Sequence, residues 1–245
     1  MIHALAVLGA LAAVSAPCEV SGSPDQYVLV PAVEEGEYEI EYRMGAQNQP
    51  GEGTLQAGSI AFGYGLTSWW FTEGYAKFQR PCGGAVRYDA FEWENRFQLL
   101  EPGAHWLDLG VVAELEVPAD KSEGYELAVG PLTQKSFGAW QVNANVIFEG
   151  QIDAATASAT ELGYQWQVKY RWKPTLEFGA QGLGDVGPWN AWEPASEQPH
   201  VMGPAVFGRL RLGERERLHY DAALLFGLTS ASPDVRFRMQ IEYEF

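Results

Sequence analysis

Basic residues are scarce in this sequence. Its 245 residues include 16 Lys and Arg against 32 Asp and Glu, which gives a formal net charge of −16 at pH 7. Because binding of a phosphate backbone requires clustered Lys and Arg side chains, this balance argues against a nucleic-acid partner.

Long apolar runs and cysteines are scarce as well. Beyond the N-terminus, no uncharged apolar run approaches the ~20 residues that a transmembrane helix needs. A transmembrane β-barrel escapes this test, because its strands alternate apolar and polar residues. The two cysteines, Cys18 and Cys82, fit an exported protein with one disulfide bond at most. Pro17 precedes Cys18, so the sequence has no lipobox there and lipidation is not expected.

The N-terminus carries the features of an export signal. Residues 2–16 form an apolar run that ends in the small residues Val14, Ser15 and Ala16, as in the h-region and cleavage site of a secretory signal. The alternative is a short N-terminal core helix. We predict a signal peptide at residues 1–16, a loose or cleaved N-terminal periplasmic segment at 17–36 and a β-barrel at 37–245.

The C-terminal strand alternates without interruption. Phe237, Met239, Ile241, Tyr243 and Phe245 occupy one face, and Arg236, Arg238, Gln240, Glu242 and Glu244 occupy the other. In a soluble protein the apolar face would pack on a second sheet. A strand that ends on an aromatic residue instead resembles the closing strand of bacterial outer-membrane β-barrels, which the barrel assembly machinery reads. This resemblance implies that the assembly machinery binds the strand ending at Phe245, and that outer-membrane lipid surrounds the barrel.

Twelve strand-like segments follow one another at nearly even spacing, which predicts an all-β, up-and-down antiparallel transmembrane β-barrel. We place the strands at 37–46, 58–66, 71–79, 87–99, 105–117, 124–132, 139–149, 161–172, 175–184, 201–212, 218–228 and 235–245.

The connections alternate in length, as in outer-membrane barrels with short periplasmic turns and long outer loops. Tight turns are predicted at 67–70, 101–104, 134–138, 173–174 and 213–217, and longer loops at 47–57, 150–160 and 185–200. Five tryptophans fall at the tight turns, as expected for an aromatic girdle at one membrane interface: Trp69, Trp70, Trp106, Trp140 and Trp172.

The competing fold is a soluble β-sandwich or lipocalin-type barrel with its apolar face inward. Periodicity alone does not separate the two folds. The strand number, the terminal Phe245, the loop asymmetry and the Trp positions favour the barrel in the outer membrane.

Three segments carry a family resemblance. Ile60–Thr67, Phe91–Leu99 and Glu161–Val168 resemble strands of an uncharacterised proteobacterial outer-membrane β-barrel family. That family is loosely similar to transporter barrels of the phenol-degradation meta-pathway type. The resemblance spans residues 27–245 and implies the fold, but its motifs mark strands and turns and include no catalytic signature.

The same topology separates the two cysteines. Cys82 falls in an outer loop and Cys18 on the periplasmic side, so a membrane core of ~25 Å lies between them. We therefore expect no Cys18–Cys82 disulfide and a free Cys82, unless residues 17–36 thread the lumen as a plug.

If the apolar faces contact lipid, the charged faces line the lumen and segregate by side. The predicted acidic wall comprises Glu92, Glu94, Asp108, Glu114, Glu116, Glu126 and Glu149, and the predicted basic wall comprises Lys169, Arg171, Arg209, Arg211, Arg236 and Arg238. Facing walls of opposite charge would orient a polar solute. The alternative is a filled barrel, in which Arg–Glu pairs neutralise each other.

These features predict a small channel or transporter for polar small molecules, without a cofactor or a metal. The first alternative is a filled structural or anchoring barrel that partners other envelope proteins. The second is an outer-membrane lipid-modifying enzyme, for which the chain offers His105, His200 and His219 but no Gly-x-Ser-x-Gly or His-Glu-x-x-His motif. A metal site at Glu197 and His200 is not expected, because loop carboxylates are usually only solvated.

The location can be tested by fractionation of a Gram-negative bacterium that expresses the protein. We expect the protein in the outer membrane, with a mobility that differs between unboiled and boiled gel samples because a closed barrel stays folded in detergent. A soluble periplasmic protein with unchanged mobility would contradict this prediction.

Overall fold

A computed structural model of the chain describes residues 22–49 and 53–245. The predicted signal peptide at 1–16 and the first part of the N-terminal segment, residues 17–21, lie outside the described residues. Within the described part of the chain, no helix is long and apolar enough to span a membrane.

The strands form one closed antiparallel barrel in which each strand pairs with the next and the last pairs with the first. The predicted fold is thereby confirmed. The twelve strands are β1 (Tyr38–Gln49), β2 (Gly53–Thr67), β3 (Trp70–Arg80), β4 (Arg87–Gln98), β5 (Asp108–Pro118), β6 (Tyr125–Phe137), β7 (Trp140–Ile152), β8 (Glu161–Lys173), β9 (Leu176–Pro188), β10 (His200–Arg211), β11 (Arg217–Gly227) and β12 (Val235–Glu244). A single 3₁₀ turn, Lys121–Glu123, lies between β5 and β6.

The barrel closes between its first and last strands. Glu39 pairs with Glu244 and Ile40 with Tyr243 in the antiparallel register. At the end of this seam, Tyr38 and Phe245 each donate a backbone N–H to the other's carbonyl oxygen, with N···O distances of 3.1 and 3.0 Å. Closure leaves no unpaired strand edge, which a membrane-embedded sheet requires.

The side chains are arranged inside out relative to a soluble protein. Ile60 and Phe62 of β2 are 55% and 54% exposed on the outer surface, whereas Glu41 of β1 and Arg238 of β12 are 2% and 1% exposed. A soluble sandwich or lipocalin-type barrel would show the reverse burial. An apolar outer surface around a polar interior is the arrangement of a transmembrane β-barrel, and it places the protein in the outer membrane.

The two ends of the barrel differ in connection length. Two-residue turns at 68–69, 138–139 and 174–175 and a five-residue turn at 212–216 mark the periplasmic end, whereas loops of up to eleven residues (189–199) mark the outer end. The predicted tight turn at 101–104 is present, because the Ala104 N–H donates to the Glu101 carbonyl oxygen over 3.1 Å, but it lies within a longer connection, 99–107, since β5 begins only at Asp108. The predicted loop at 47–57 is wrong, because β1 extends to Gln49 and β2 begins at Gly53.

The aromatic girdle at the periplasmic end is present as predicted. Trp69, Trp106, Trp140 and Trp172 are exposed beside the turns at this end, and Trp70 is half-buried next to Trp69. Indole rings at this height suit the membrane interface, where one edge contacts lipid and the N–H reaches water.

The N-terminal segment is not loose where the structure describes it. Residues 22–36 run inside the barrel from the outer end, where Gln47 Nε2 donates to the Gly22 carbonyl oxygen over 3.5 Å, to the periplasmic end, where the Gly36 N–H donates to the Gly65 carbonyl oxygen over 2.8 Å. Leu29 is 1% exposed in the middle of this path. We refer to residues 22–36 as the lumen segment.

The prediction of a free Cys82 is wrong, because Cys82 is disulfide-bonded. The only other cysteine of the chain, Cys18, lies outside the described residues. The physical reason is the path of the lumen segment, which crosses the barrel and brings residue 22 to the outer end, where the Cys82 loop also lies. The membrane thickness therefore no longer separates the two sequence regions.

Maleimide labelling of intact cells tests this arrangement. An impermeant maleimide should label Cys82 only after mild reduction, because the oxidised sulfur has no reactive thiolate. A Cys82→Ser variant supplies the background. Labelling of Cys82 without reductant would contradict the disulfide.

Candidate functional site

Two apolar clusters in the lumen bind the lumen segment. Val28 packs against a cluster on β9, β10 and β11, and Leu29 packs against a second cluster on β5, β6 and β7. The members are Leu183, Val201, Ala205, Phe207, Ala223 and Leu225 in the first cluster and Val112, Ala128, Leu132 and Ile147 in the second. Since neighbouring side chains of an extended chain point in opposite directions, Val28 and Leu29 reach opposite parts of the wall.

Amide side chains of the wall pair with the backbone of the lumen segment. The Leu29 N–H donates to Gln165 Oε1 over 3.1 Å, and Asn145 Nδ2 donates to the Leu29 carbonyl oxygen over 2.9 Å. Nearer the periplasmic end, the Val33 N–H donates to Gln98 Oε1 over 3.0 Å. These bonds satisfy backbone groups that would otherwise be buried without partners.

Glycines in β1 and β2 make room for this backbone. A Cβ atom at Gly45 would collide with the carbonyl oxygen of Pro24, and one at Gly65 would collide with that of Glu34. The wall and the lumen segment therefore approach each other more closely than two non-glycine residues allow.

Tyr27 links the lumen segment to a charged cluster on β1, β3 and β4. Its hydroxyl group donates to Glu94 Oε2 over 2.6 Å, and the guanidinium carbon of Arg43 lies 3.2 Å from the centre of its ring. Arg43 also contacts Glu41 and the hydroxyl group of Tyr75. A guanidinium stacked on aromatic rings in a desolvated site is a favourable cation–π arrangement.

The predicted acidic residues lie at different depths of the lumen. Glu94 is buried and pairs with Arg96, with Nε 3.0 Å from Oε1. Glu92 and Glu116 share the ammonium group of Lys77. Asp108 is buried and accepts the Gly103 N–H over 2.7 Å, so it holds the 99–107 connection. The remaining three are half-buried on β5, β6 and β7: Glu114, Glu126 and Glu149.

The predicted basic residues divide into a buried pair and an exposed group. Arg238 is buried and bonds to Asp221 and to Gln181 Oε1, and Arg236 is buried with Nε 2.7 Å from Gln47 Oε1. Lys169 is half-buried with its Nζ 4.4 Å from the centre of the Phe207 ring. The other three are exposed near the periplasmic end: Arg171, Arg209 and Arg211.

Other lumen residues lie outside the predicted acidic and basic walls. The acidic side of the wall contains its own cations, Arg43, Lys77 and Arg96, so its charges are largely paired in place. A row of neutral amides joins the two sides across β7, β8 and β9, with hydrogen bonds from Gln167 to Asn143 and from Gln181 to Gln167. The alternation of inward and outward positions along these strands is the sequence signal that indicates both sets.

A cavity of about 590 Å³ remains between the lumen segment and the periplasmic end. Its acidic lining includes Glu39, Glu41 and Glu242 on β1 and β12, and its basic lining includes Lys169, Arg171 and Arg209 on β8 and β10. Arg96 and Arg217 lie among the acidic residues, and Glu177 and Asp221 lie among the basic ones, so the separation of charge along the cavity wall is partial.

Arg217 fastens the lumen segment at the mouth of this cavity. Its Nη1 lies 3.1 Å from Glu34 Oε2 and 3.3 Å from Glu244 Oε2. Burial, followed by the negative charge of Glu244, raises the pKa of Glu37 to about 8.

The described contacts of two histidine rings are with a tyrosine, an amide and a carboxylate group. The ring nitrogens of His200 contact the Tyr164 hydroxyl group and Gln198 Oε1, each at 3.0 Å, and His219 Nε2 lies 3.3 Å from Glu244 Oε1. Among the residues that the structure describes, no serine hydroxyl group bonds to a histidine ring. Glu197 and His200 belong to none of the groups of three possible metal ligands found in the same part of the chain.

Solved outer-membrane channels share this fold. The KdgM porin superposes with a TM-score of 0.55 at 9% identity, covering 84% of this chain and 99% of that chain. The NanC porin gives 0.54 at 9% identity, covering 84% and 98%. An outer-membrane channel from Pseudomonas putida F1 gives 0.58 at 14% identity, covering 92% and 99%. The structural neighbours are thus outer-membrane porin and channel barrels.

Neither a protein-family model nor a curated protein matches the sequence. At these identities the structural neighbours define the fold, and function must be argued from the lumen itself.

Replacement of Leu29 by Asp should loosen the lumen segment. Leu29 is buried in an apolar cluster, and loss of a fully buried Leu side chain costs roughly 1.5–3 kcal/mol before the charge is considered. Hydrogen–deuterium exchange of residues 24–33 should therefore accelerate by at least about tenfold.

Ala32→Asp is the matched control, because Ala32 belongs to the same segment but is exposed to the cavity. Its exchange should stay close to that of the unmodified protein. Equal acceleration in the two variants would mean that Leu29 does not anchor the segment.

Proposed function

We propose that this protein is a gated outer-membrane channel for polar small molecules, and that the lumen segment closes it. The observation that carries the proposal is a closed twelve-stranded barrel with a polar interior, in which one segment separates the outer end from a cavity of about 590 Å³. A gated channel needs both a polar passage and a segment that can block it, and the barrel interior and the lumen segment supply them.

The manner of attachment supports a gate over a permanent filling. The lumen segment is not a strand of the sheet, and the barrel closes through β1 and β12 without it. Its described attachments are side chains of the wall, two apolar clusters, the ion pairs of Arg217 and one backbone hydrogen bond, from Gly36 to Gly65 of β2. Displacement of the segment would therefore break no hydrogen bond between strands.

The cavity charges support selection of a polar or weakly charged solute. Glu41 and Glu242 on one part of the wall and Lys169 and Arg209 on another create a field across the cavity. In a water-filled space bounded by low-dielectric walls, such a field orients a dipolar or zwitterionic molecule. In this proposal the predicted charged residues that border the cavity set the selectivity.

A filled structural or anchoring barrel is the second candidate. The specific observation in its favour is the density of paired charges around Arg43 and Arg96, which no solute could pass without breaking ion pairs. This candidate predicts that the barrel does not conduct even when the lumen segment is absent. We propose no enzymatic activity, because the histidine rings lack a nucleophilic partner in the described residues.

Conductance in planar bilayers separates the candidates. The full chain should show low conductance with brief openings, and a variant without residues 22–33 should show a conductance several times larger. An Ala32→Asp variant, which keeps the segment anchored, should behave like the full chain. Absence of current from both the full chain and the deletion variant would favour the structural barrel. Turnover of phospholipid or lipid A by the purified protein would instead support a lipid-modifying enzyme.

Charge reversal at Lys169 should shift the ion selectivity of the deletion variant. Lys169→Glu replaces a cation of the cavity wall by an anion, so permeation should move toward cations. The measurement is the reversal potential in a KCl gradient. Lys121→Glu makes the same change in an exposed outer connection and should leave the reversal potential unchanged; equal shifts in both variants would show that Lys169 has no special role.

A further inference from the structure

The strand register gathers carboxylates into one row of the wall. Glu39 of β1 pairs with Gly63 of β2, and Gly63 pairs with Glu73 of β3. Gly63 has no side chain, and a Cβ at this position would collide with Phe71 and lie 3.3 Å from the Glu73 carboxyl carbon. The Phe71 ring therefore occupies the space above Gly63, and the Glu73 carboxyl group lies beside it.

Glu41 completes a group of three buried carboxylates. One oxygen of each of Glu39, Glu41 and Glu73 lies within 4.8 Å of the other two, and the three residues are 4%, 2% and 2% exposed. Glu39 and Glu41 also line the cavity, so the group can be reached from the periplasmic end.

The group is short of partners. Glu39 Oε1 and Glu73 Oε1 are buried and have no hydrogen-bond donor among the described residues. The Arg96 Nη2 lies 3.7 Å from the other oxygen of Glu39 and of Glu73. Glu41 differs from these two, because Arg43 and Gln240 pair with its two oxygens. Buried carboxylate oxygens normally find a partner, so unpartnered ones indicate a missing ligand.

The formal charges point the same way. Glu242 also lies beside Glu39, so five carboxylates, Glu39, Glu41, Glu73, Glu94 and Glu242, stand against two guanidinium groups, Arg43 and Arg96. A divalent cation would offset part of this excess of negative charge.

We propose that Glu39, Glu41 and Glu73 bind a divalent cation in the barrel wall, and that Ca²⁺ suits the site best. Ca²⁺ takes carboxylate oxygens at about 2.3–2.6 Å in a flexible geometry, and oxygens spaced as these are can be bridged by such an ion. Water from the cavity supplies the remaining ligands. The site shares Glu41 with the cavity lining of the proposed channel, but binding of a cation there does not require that the channel conducts.

Terbium luminescence of the purified full-length protein in detergent tests the proposal. Tb³⁺ replaces Ca²⁺ at carboxylate sites, and Tyr75, whose hydroxyl group donates to Glu73 Oε2 over 2.6 Å, is placed to sensitise its emission. After removal of metal with EDTA, the protein should bind Tb³⁺ at one site, and Ca²⁺ should displace it. Glu39→Gln and Glu73→Gln should each weaken binding by at least tenfold.

Glu149→Gln is the matched control, because Glu149 is a lumen carboxylate of β7 outside the group. It should bind Tb³⁺ like the unmodified protein, and the heat-modifiable gel shift of each variant reports its folding. In EDTA the Glu39→Gln barrel should unfold at a temperature no lower than the unmodified barrel, and added Ca²⁺ should raise the unfolding temperature of the unmodified barrel alone. Absence of Tb³⁺ binding, or binding that both Gln variants of the group retain, would overturn the proposal.

Discussion

Lipid offers no partner for a backbone N–H or C=O group, and every other feature of this protein depends on that constraint. Twelve strands satisfy it only because β12 returns to β1 and the sheet has no edge. Closure then divides the side chains of each strand between lipid and lumen. Charged side chains can then point only into the lumen. Glu41, Arg43 and Arg238 are therefore buried there.

A barrel of this size is intermediate between small filled barrels and open porins. Its wall side chains do not fill the lumen by themselves, and residues 22–36 occupy the space. Three consecutive residues of this segment, Tyr27, Val28 and Leu29, reach a charged cluster and two apolar clusters respectively. The wall therefore offers a charged or an apolar contact at the height of each of these side chains. The remaining free volume lies at the periplasmic end.

Most of the barrel could be predicted because the alternation of apolar and polar residues within one strand shows which face contacts lipid and which faces the lumen. Alternation in 139–149 or 235–245 reports the two faces of one strand, and neighbouring strands are neighbours in sequence. The prediction for the N-terminal segment failed because the residues that hold the lumen segment, Gln165, Asn145 and Arg217, lie far away in the chain. The length of the connection 99–107 is a different case, because its contact with Asp108 is local.

The sequence by itself determined the strand number, the fold, the apolar outer face and the girdle of Trp residues, since each follows from a period of two and short connections. Only the tertiary structure decided what occupies the lumen. Whether a charged side chain meets water, a counterion or the chain's own N-terminal segment depends on contacts across the barrel. Glu39 and Glu73 lie far apart in the sequence, on β1 and β3, and the register of β2 between them brings both into one row.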